Sequence, residues 1–319
     1  MKWITLQLGE RMTTTDPILA LVGPTGTGKT ELSLAVAARL DAEIVNCDSR
    51  QVFRHLDIGT AKPSAAERAA APHHLFDIVD PDQPFDCARY RALARAAIAD
   101  VQARGKRVVL VGGSGLYLKV LRYGLAPAPP RDAALRVRLE ALETAAPGAL
   151  HARLRASDPA AAGRLHPHDR VRLIRALEVG ELTGRPLSAW QAEHAFRAAE
   201  LPARVIALTM PRAALYARLD ARCRAMVERG LVDEVQALWR LGYGPDLAPL
   251  QSIGYREIGA YLHGRCDLAT AIADMQRATR QFAKRQMTWF RADATVEWVD
   301  AESASVEEIV AAPAGRQSN

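Results

Sequence analysis

A glycine-rich segment near the amino terminus carries residues whose types and spacing suit phosphate binding. The segment GPTGTGKT, residues 23–30, follows the apolar run ILALV at residues 18–22 and precedes a helical pattern at residues 31–40. Between a strand and a helix, glycines let backbone N–H groups turn inward around phosphate oxygens. A turn that only capped the helix would not require Lys29 and Thr30 to follow. The spacing therefore predicts a phosphate-binding loop, or P-loop.

The P-loop residues predict a diphosphate site with a magnesium ion. Lys29 would supply a point charge, the Thr30 hydroxyl would be a ligand of Mg²⁺, and backbone N–H groups would surround the phosphates. The expected diphosphate-binding residues are Gly23, Pro24, Thr25, Gly26, Thr27, Gly28, Lys29 and Thr30. Nucleotide-hydrolysing relatives of such loops usually add an apolar strand that ends in Asp. Here the best such strand, VVLV, ends in Gly112 and Gly113, which favours a use of the diphosphate other than nucleotide hydrolysis.

Two further loops carry candidate chemistry, and both follow apolar runs typical of strands. Asp48 follows EIVNC, and the segment GGSGLY, residues 112–117, follows RVVLV. Asp48 is a candidate base, although a carboxylate there also suits the N-cap of the next turn. Ser114 offers a hydroxyl beside two glycines that permit close approach of a ligand, but it equally suits a helix cap.

The order of these segments predicts the fold class. Strands that alternate with helices imply an α/β protein with a parallel sheet flanked by helices, and a ligand beyond the carboxyl ends of its strands. Proline and glycine residues in GLAPAPPRD, followed by Ala-rich and Arg-rich helical patterns, indicate an inserted all-helical subdomain. We expect a core at residues 17–123 and 201–310, the helical subdomain at residues 124–200, an extended segment at 1–16 and a disordered tail at 311–319.

Composition favours a globular protein that contacts polyanions. Of 319 residues, 42 are Lys or Arg and 36 are Asp or Glu, which gives a net charge of +6 and a pI near 9.3. Four distant cysteines without a CxxC pair predict neither a zinc cluster nor disulfides, which suits the cytoplasm. The apolar run in the first residues is too short for a signal peptide, and no stretch predicts a membrane span. We interpret His73, His74 and His151 as structural.

Two basic helical patterns are candidates for contact with a phosphate backbone. Arg172 and Arg175 lie three residues apart on one face of a predicted helix, with Val171 and Ile174 mostly on the other side. Near the carboxyl terminus, one face carries Arg277, Arg280, Lys284 and Arg291. Met275, Phe282 and Trp289 recur every seven residues, and we expect this apolar stripe to lie in the core.

Eight short blocks together resemble the tRNA dimethylallyltransferase family of bacterial type. They are GPTGTGKT, DSRQVF, GTAKP, HHL, GGSGLY, RLIRALEV, IGYRE and QFAKRQMTWFR, in the order that the family keeps, over residues 23–291. The resemblance implies a P-loop NTPase-like fold. It also implies transfer of a dimethylallyl group from dimethylallyl diphosphate to the exocyclic amine of the adenosine immediately 3′ of a tRNA anticodon.

The resemblance also assigns roles to residues. Asp48 matches the family's general base, Ser114 would lie beside the diphosphate, and the family's leaving-group arginine falls on Arg136. Ser114 stands where the family usually has Thr, and His168 replaces a usual Asn. The partners would be dimethylallyl diphosphate and the anticodon stem-loop, gripped between the core and the helical subdomain, and the enzyme would be a monomer.

By the same resemblance, four segments should contact tRNA. Their residues are Asp48, Ser49, Arg50, Gln51, Val171, Arg172, Leu173, Ile174, Arg175, Gln251, Ser252, Ile253, Gly254, Tyr255, Arg256, Lys284, Arg285, Gln286, Met287, Thr288, Trp289, Phe290 and Arg291. Each segment contains at least one Arg or Lys, the residue types that backbone contacts require.

Two other functions compete with transfer of a prenyl group. A small-molecule or nucleoside kinase would hold ATP in the same loop and use Asp48 to accept a hydroxyl proton. It would leave the basic carboxyl-terminal helix unexplained and would need a second metal-binding Asp. A nucleic-acid-binding module with a regulatory P-loop would leave Asp48 and Ser114 without a task.

Overall fold

The computed structural model describes residues 17–196 and 199–311. The strands of this part are β1 (Ile18–Val22), β2 (Ala42–Asn46), β3 (His73–His74), β4 (Arg107–Val111), β5 (Ala203–Thr209) and β6 (Val296–Asp300). Its helices are α1 (Lys29–Leu40), α2 (Ala65–Ala70), α3 (Cys87–Ala103), α4 (Gly115–Tyr123), α5 (Ala133–Ala145), α6 (Ala149–Ser157), α7 (Pro159–Ala162), α8 (Arg170–Thr183), α9 (Leu187–His194), α10 (Arg212–Glu228), α11 (Leu231–Arg240), α12 (Tyr255–Leu262), α13 (Leu268–Arg291) and α14 (Val306–Val310), with a 3₁₀ turn at Ala248–Gln251. The predicted segment 1–16 and residues 312–319 of the predicted tail lie outside the described residues.

The strands form one sheet in the order β3-β2-β4-β1-β5-β6, and every neighbouring pair is parallel. All residues of β1 and β2 are buried, so both faces of the sheet are covered there, as parallel sheets require. The prediction of an α/β protein with a parallel sheet flanked by helices is confirmed. Because the strands run in one direction, the loops that follow β1, β2 and β4 leave from the same edge.

Two apolar clusters pack the sheet and the helices around it together. Leu21 and Ile44 of the sheet pack in one cluster with Val36 of α1 and Ile309 of α14. The other cluster joins α10, α11, α12 and α13 and includes Val52 from the loop after β2. That loop, which also carries Asp48, is therefore anchored on the helices that follow β5.

Helix α13 corrects one expectation about the core. Met275 is buried, but Phe282 is only half-buried and the Trp289 side chain is 46% exposed. An α-helix has 3.6 residues per turn, so a repeat of seven drifts around its axis by about 20° per step. The buried positions instead advance by four or three residues, through Ala271, Met275, Thr279, Ala283, Gln286 and Phe290.

The described chain divides into two compact units. The first contains the sheet and runs to Arg122, then resumes at Leu201. The second, Tyr123–Glu200, is helical, and its core includes Leu139, Leu150 and Leu173. Among the helices of the described residues, none combines the length and apolar character needed to cross a bilayer.

Candidate active site

A cavity of about 630 Å³ lies in the first unit. Its wall contains residues of the loops after β1, β2 and β4, together with side chains of α10 and α13. The P-loop, the Asp48 turn and the glycine-rich turn after β4 therefore meet at one site, as the sequence predicts for the carboxyl edge of a parallel sheet.

The P-loop backbone has a shape that its glycines make possible. Gly23, Gly26 and Gly28 all have positive φ angles, at 124°, 90° and 84°. A Cβ on Gly23 would lie 2.6 Å from the carbonyl oxygen of Leu208 in β5, so a larger residue would clash. Thr27 donates its hydroxyl to the Pro24 carbonyl at 3.0 Å, which closes the loop on itself.

Lys29 faces the cavity and is turned onto its own loop. Its Nζ donates to the carbonyls of Gly23 and Pro24 at 3.0 and 2.7 Å. Burial lowers the pKa of Lys29 to about 7, while the nearby negative charge of Asp48 raises it and Arg222 lowers it further. An anionic ligand would favour the charged form of this lysine.

Arg222 of α10 is a second cation at the P-loop. Its guanidinium donates to the Thr25 hydroxyl at 2.7 Å, and its buried Nε has no hydrogen-bond partner among the described residues. Within that same part of the chain no carboxylate forms an ion pair with Arg222. Burial lowers the pKa of Arg222, and Arg218 and Arg229 add repulsion. A partly buried guanidinium in this position suits an anion.

Asp48 lies in a tight turn after β2 and lines the cavity. Its N–H donates to the side chain of Asn46 at 2.8 Å, and its carboxylate accepts the N–H of Arg50 at 2.8 Å. The second contact leaves the carboxylate with further acceptor capacity. Burial is the main cause that raises the pKa of Tyr117, and the charge of Asp48 raises it further. The same charge opposes the lowering of the Lys29 pKa by burial.

The turn after β4 holds the Asp48 turn from both sides. The Ser114 hydroxyl accepts the N–H of Ser49 at 2.9 Å, and the Ser114 N–H donates to the Cys47 carbonyl at 3.1 Å. A Cβ on Gly112 would lie 2.1 Å from that carbonyl oxygen, so only glycine fits. Ser114 lines the cavity and can still donate its hydroxyl proton into it.

Gln286 of α13 connects two of these loops. Its side-chain oxygen accepts the Thr25 N–H at 2.9 Å, and its side-chain nitrogen donates to the Gly113 carbonyl at 2.9 Å. The residue is only 5% exposed. The resemblance assigned Gln286 to tRNA, whereas its amide is buried and engaged within the protein.

Known proteins with similar sequences and structures share one activity. The family model for IPP transferase matches residues 51–293. The tRNA dimethylallyltransferase of Syntrophobacter fumaroxidans is 50% identical over 89% of this chain and 84% of its own, and that of Geobacter sulfurreducens is 47% identical over 92% and 94%.

The chain belongs to the IPP transferase family. Among solved structures, the tRNA isopentenylpyrophosphate transferase of Bacillus halodurans is 39% identical, with a TM-score of 0.68 over 92% of this chain and 93% of that one. A eukaryotic dimethylallyltransferase acting on tRNA gives 29% identity and a TM-score of 0.77 over 89% and 73%. These likenesses cover both units, so the chain is an enzyme of the prenyltransferase class.

Arg136, the expected leaving-group arginine of this IPP transferase, forms an ion pair within the helical unit. Glu178, whose side chain is fully buried in the second unit, accepts from the Arg136 Nε at 2.7 Å and from its Nη2 at 2.9 Å. Arg175 and the N–H of Asp132 bind the same carboxylate. Two donors of the planar Arg136 guanidinium are therefore engaged within the helical unit. Within the first unit, Arg222 places a guanidinium at the P-loop.

Several residues assigned to tRNA by family resemblance have side chains that are buried or engaged within the protein. Leu173 and Ile174 lie in the core of the second unit, because α8 turns that face inward. Gln51 is half-buried and lines the cavity, and its side chain donates to the carbonyls of Thr60 and Ala61 at 3.1 and 3.0 Å. Buried positions in the other segments are Gly254, Tyr255, Gln286 and Phe290. A contiguous motif on a helix necessarily includes inward-facing residues.

The remaining members of these segments are accessible. Val171 is 74% exposed although its pattern suggested an inner face, and the Arg172 side chain is 73% exposed. Ser49, Arg50, Gln251, Ser252, Ile253, Arg256 and Arg285 line the cavity. Lys284, Thr288, Trp289 and Arg291 are exposed on α13, and Met287 is half-buried. Arg175 is engaged by Glu178 and by the Pro129 carbonyl.

Sequence reasoning missed Arg222 and did not predict that Gln286 binds two loops of the cavity. Arg222 is one of several arginines in RLDARCRAMVER, and no local pattern distinguishes it from its neighbours. Arg222 faces the P-loop because of the way α10 packs. The sequence of the helix alone does not show which of its arginines takes this position. Both residues lie more than a hundred positions from the loop that they bind.

Proposed function

We propose that this enzyme transfers the dimethylallyl group of dimethylallyl diphosphate to the exocyclic amine of the adenosine 3′-adjacent to the anticodon of tRNA, with release of diphosphate. The similar proteins named above carry the names of tRNA dimethylallyltransferases. The observation that carries the proposal is a cavity that the largely buried cations Lys29 and Arg222 line together with the carboxylate of Asp48. Asp48 is close enough to influence the pKa of Lys29.

The diphosphate would lie against the P-loop. Backbone N–H groups at the start of α1, Lys29 and Arg222 would surround oxygens whose negative charge grows as the carbon–oxygen bond breaks. Arg218 lines the same cavity and adds positive charge. Desolvated cations stabilise such charge more strongly than they do in water, which lowers the barrier to departure.

Thr30 fits a role as a ligand of Mg²⁺. Its hydroxyl lines the cavity and forms no hydrogen bond to another described residue. Mg²⁺ usually keeps several waters and takes few protein ligands besides substrate phosphates. A bound ion at Thr30 would neutralise part of the charge on the diphosphate.

The adenine would lie at the Asp48 end of the cavity. Its exocyclic amine is a weak nucleophile, because the lone pair is delocalised into the ring. As the nitrogen forms its bond to C1 of the dimethylallyl group, the C1–oxygen bond to diphosphate breaks and an amine proton becomes acidic. Asp48 accepts that proton. Ser114 holds the turn and lines the same space, while the target base must leave its stack to enter.

The tRNA would lie on basic, accessible surfaces of the enzyme. Lys284, Arg285 and Arg291 of α13 provide charge and Trp289 provides an aromatic face, while Arg172 adds charge in the helical unit. We propose the anticodon stem-loop as the bound part. We further propose that the enzyme is cytoplasmic, since its cysteine spacing lacks a disulfide pattern, and that it acts as a monomer.

A labelling experiment separates transfer from the kinase alternative. Purified protein receives bulk tRNA with either labelled dimethylallyl diphosphate or γ-labelled ATP, and the RNA is then analysed for fixed label. We expect only the prenyl label in RNA. Fixation of the γ-phosphate without the prenyl group would establish a kinase.

Replacing Asp48 by Asn tests the base. Asn keeps the size and one acceptor but has little basicity, so we expect transfer to fall by about 10²- to 10⁴-fold. The affinity for tRNA should stay near that of the unaltered protein. A large loss of tRNA affinity, with no change in the rate of transfer at saturating substrate concentrations, would contradict the assignment of Asp48.

A further inference from the structure

Gln286 has a position unlike that of its neighbours on α13. Lys284, Arg285, Thr288 and Trp289 are exposed, whereas Gln286 is 5% exposed and points among the loops of the cavity. A buried primary amide is stable only when its donor and acceptor atoms are both satisfied. Here Thr25 and Gly113 supply these partners, one from each loop.

The two partners fix the orientation of the amide. The backbone N–H of Thr25 can only donate, so it must face the Gln286 side-chain oxygen. The carbonyl of Gly113 can only accept, so it must face the side-chain nitrogen. A rotated amide would bring like groups together at both ends. No charged side chain or shorter amide reproduces this pairing.

The contact at Gly113 continues to the candidate base. Ser114, the next residue, binds the Ser49 N–H through its hydroxyl and the Cys47 carbonyl through its own N–H. Asp48 lies between those two residues. On the other side, Thr25 binds the Arg222 guanidinium. Gln286 is thus the side chain between the cation end and the base end of the cavity.

We propose that Gln286 is a positioning residue that sets the separation between the P-loop and the Asp48 turn, and so aligns the diphosphate with the base. This inference rests on the proposed function. Group transfer is sensitive to such alignment, since a displacement of about 1 Å can lower a rate by about 10²-fold. The sheet fixes the strands, but Thr25 and Gly113 lie beyond the strand ends.

Gln286→Met tests this role. Methionine has a similar length and apolar volume but cannot make either hydrogen bond. We expect kcat for transfer to fall by about 10- to 100-fold, because the loops lose their common partner. The affinity for inorganic diphosphate, measured by calorimetry without tRNA, should fall by about 10-fold or less, because the phosphate-binding groups themselves remain.

Gln276→Met is the matched control. Gln276 lies on the same helix, is half-buried, and donates to the Asp220 carbonyl at 3.0 Å, away from the P-loop. This variant loses a hydrogen bond of similar kind, so its unfolding temperature reports the general cost of such a loss. We expect its kcat to match that of the unaltered protein.

The outcomes separate three roles. A fall in kcat with tRNA affinity and unfolding temperature near those of Gln276→Met supports positioning. Lost tRNA affinity with unchanged kcat would make Gln286 an RNA contact, and lower thermal stability with unchanged kcat would make it purely structural; either result overturns the proposal. Failure of the proposed function would be seen separately, because the unaltered protein would then transfer no prenyl group. That result does not depend on the Gln286 variants.

Gly113→Ala tests the same contact from the other loop and serves if Gln286→Met does not fold. A Cβ on Gly113 would lie 2.2 Å from the Gln286 side-chain nitrogen, so it displaces the amide. We expect a similar fall in kcat. Where both single variants fold, their effects should be less than multiplicative in the double variant, because they break one contact. Multiplicative effects, or full activity of Gly113→Ala, would overturn the proposal.

Discussion

Within the described residues, two cations at the P-loop lack the carboxylate partners that several other arginines of this enzyme have. Lys29 donates to backbone carbonyls and Arg222 to a hydroxyl. In contrast, Arg136, Arg204 and Arg104 each bind a carboxylate of the protein. A buried positive charge that has no counter-charge in the protein raises the affinity of the site for an anion such as diphosphate.

Substitution of two arginines should distinguish a catalytic cation from a structural one. For Arg222→Met we expect transfer to fall by about 10²- to 10³-fold, because a group that stabilises the leaving diphosphate is lost. Arg136→Met leaves buried Glu178 with fewer donors, so it should lower the unfolding temperature while the folded enzyme keeps its rate. Steady-state kinetics and thermal unfolding check both. The reverse pattern would support Arg136 as the leaving-group arginine.

Lys29 should take up a proton when diphosphate binds. Its pKa of about 7 in the ligand-free site means that it is mostly neutral at a pH of about 8, and a bound anion raises the pKa. Uptake should decline toward a pH of about 6, where the lysine is already charged. Calorimetry in buffers of different ionisation enthalpy measures the uptake. The same measurement on Lys29→Met gives the protons that diphosphate itself takes up or releases. Equal proton uptake in the variant and the unaltered protein would disprove the idea.

At the scale of elements, one carboxylate joins two strands and a helix. Glu43 of β2 binds His74 of β3 at 2.6 Å and the Arg104 guanidinium beyond α3 at 2.8 Å. β3 has only two residues at the edge of the sheet, so its backbone pairing is short. The side-chain contacts therefore contribute to the position of the loop that follows β3.

Glu43→Gln should destabilise the protein in a pH-dependent way. Hydrogen bonds from Arg104 are the main cause that lowers the pKa of Glu43 to about 2, against an ordinary value of 4.5. A lowered pKa stabilises the folded state above about 4.5, and this contribution is lost as the pH falls towards 2. We expect a loss of about 1–2 kcal/mol at neutral pH, because the Arg104 side chain is partly in solvent.

Urea unfolding at several pH values measures that loss. Asp41→Asn is a suitable control, because the Asp41 carboxylate is 80% exposed and pairs with Lys106. An exposed pair contributes less than about 1 kcal/mol, so the control should change little. A pH-independent difference for Glu43→Gln would show that the charge of Glu43 does not stabilise the sheet.

For the whole molecule, the net charge of +6 gives a field that attracts tRNA, but its basic groups are not equivalent. On α13, Arg277 pairs with Asp274 and Arg280 with Asp220. Lys284 and Arg291, the other two residues of the expected stripe, are exposed, and they and Arg285 have no carboxylate partner within the described residues. Half of the expected basic stripe is therefore neutralised by the fold, and the other half is accessible to a polyanion.

This difference predicts a change in the salt dependence of tRNA binding. Neutralising two phosphate contacts with Lys284→Ala and Arg285→Ala together should reduce the slope of log affinity against log salt by about 1–2. Arg277→Ala, whose charge is already paired, should leave the slope nearly unchanged. Filter binding across a salt series measures both. Equal slopes for all variants would place the RNA elsewhere on the surface.

The sequence by itself determined the sheet, the P-loop and the position of Asp48. Each of these depends on residues adjacent in the chain, where an apolar strand passes into a glycine-rich or acidic turn. The parallel order of the strands then brings their loops to one edge, as for Gly23, Asp48 and Ser114. Local patterns suffice because the geometry of a strand–loop–helix unit is itself local.

Only the tertiary structure decided which distant side chains complete the site. Arg222 and Gln286 reach Thr25 across 197 and 261 positions of sequence, and Arg136 is instead bound by Glu178. The side of a helix that faces inward depends on its partners, as the exposure of Trp289 and Val171 demonstrates. A guanidinium or an amide has the same chemistry wherever it occurs, so packing alone determines what it binds.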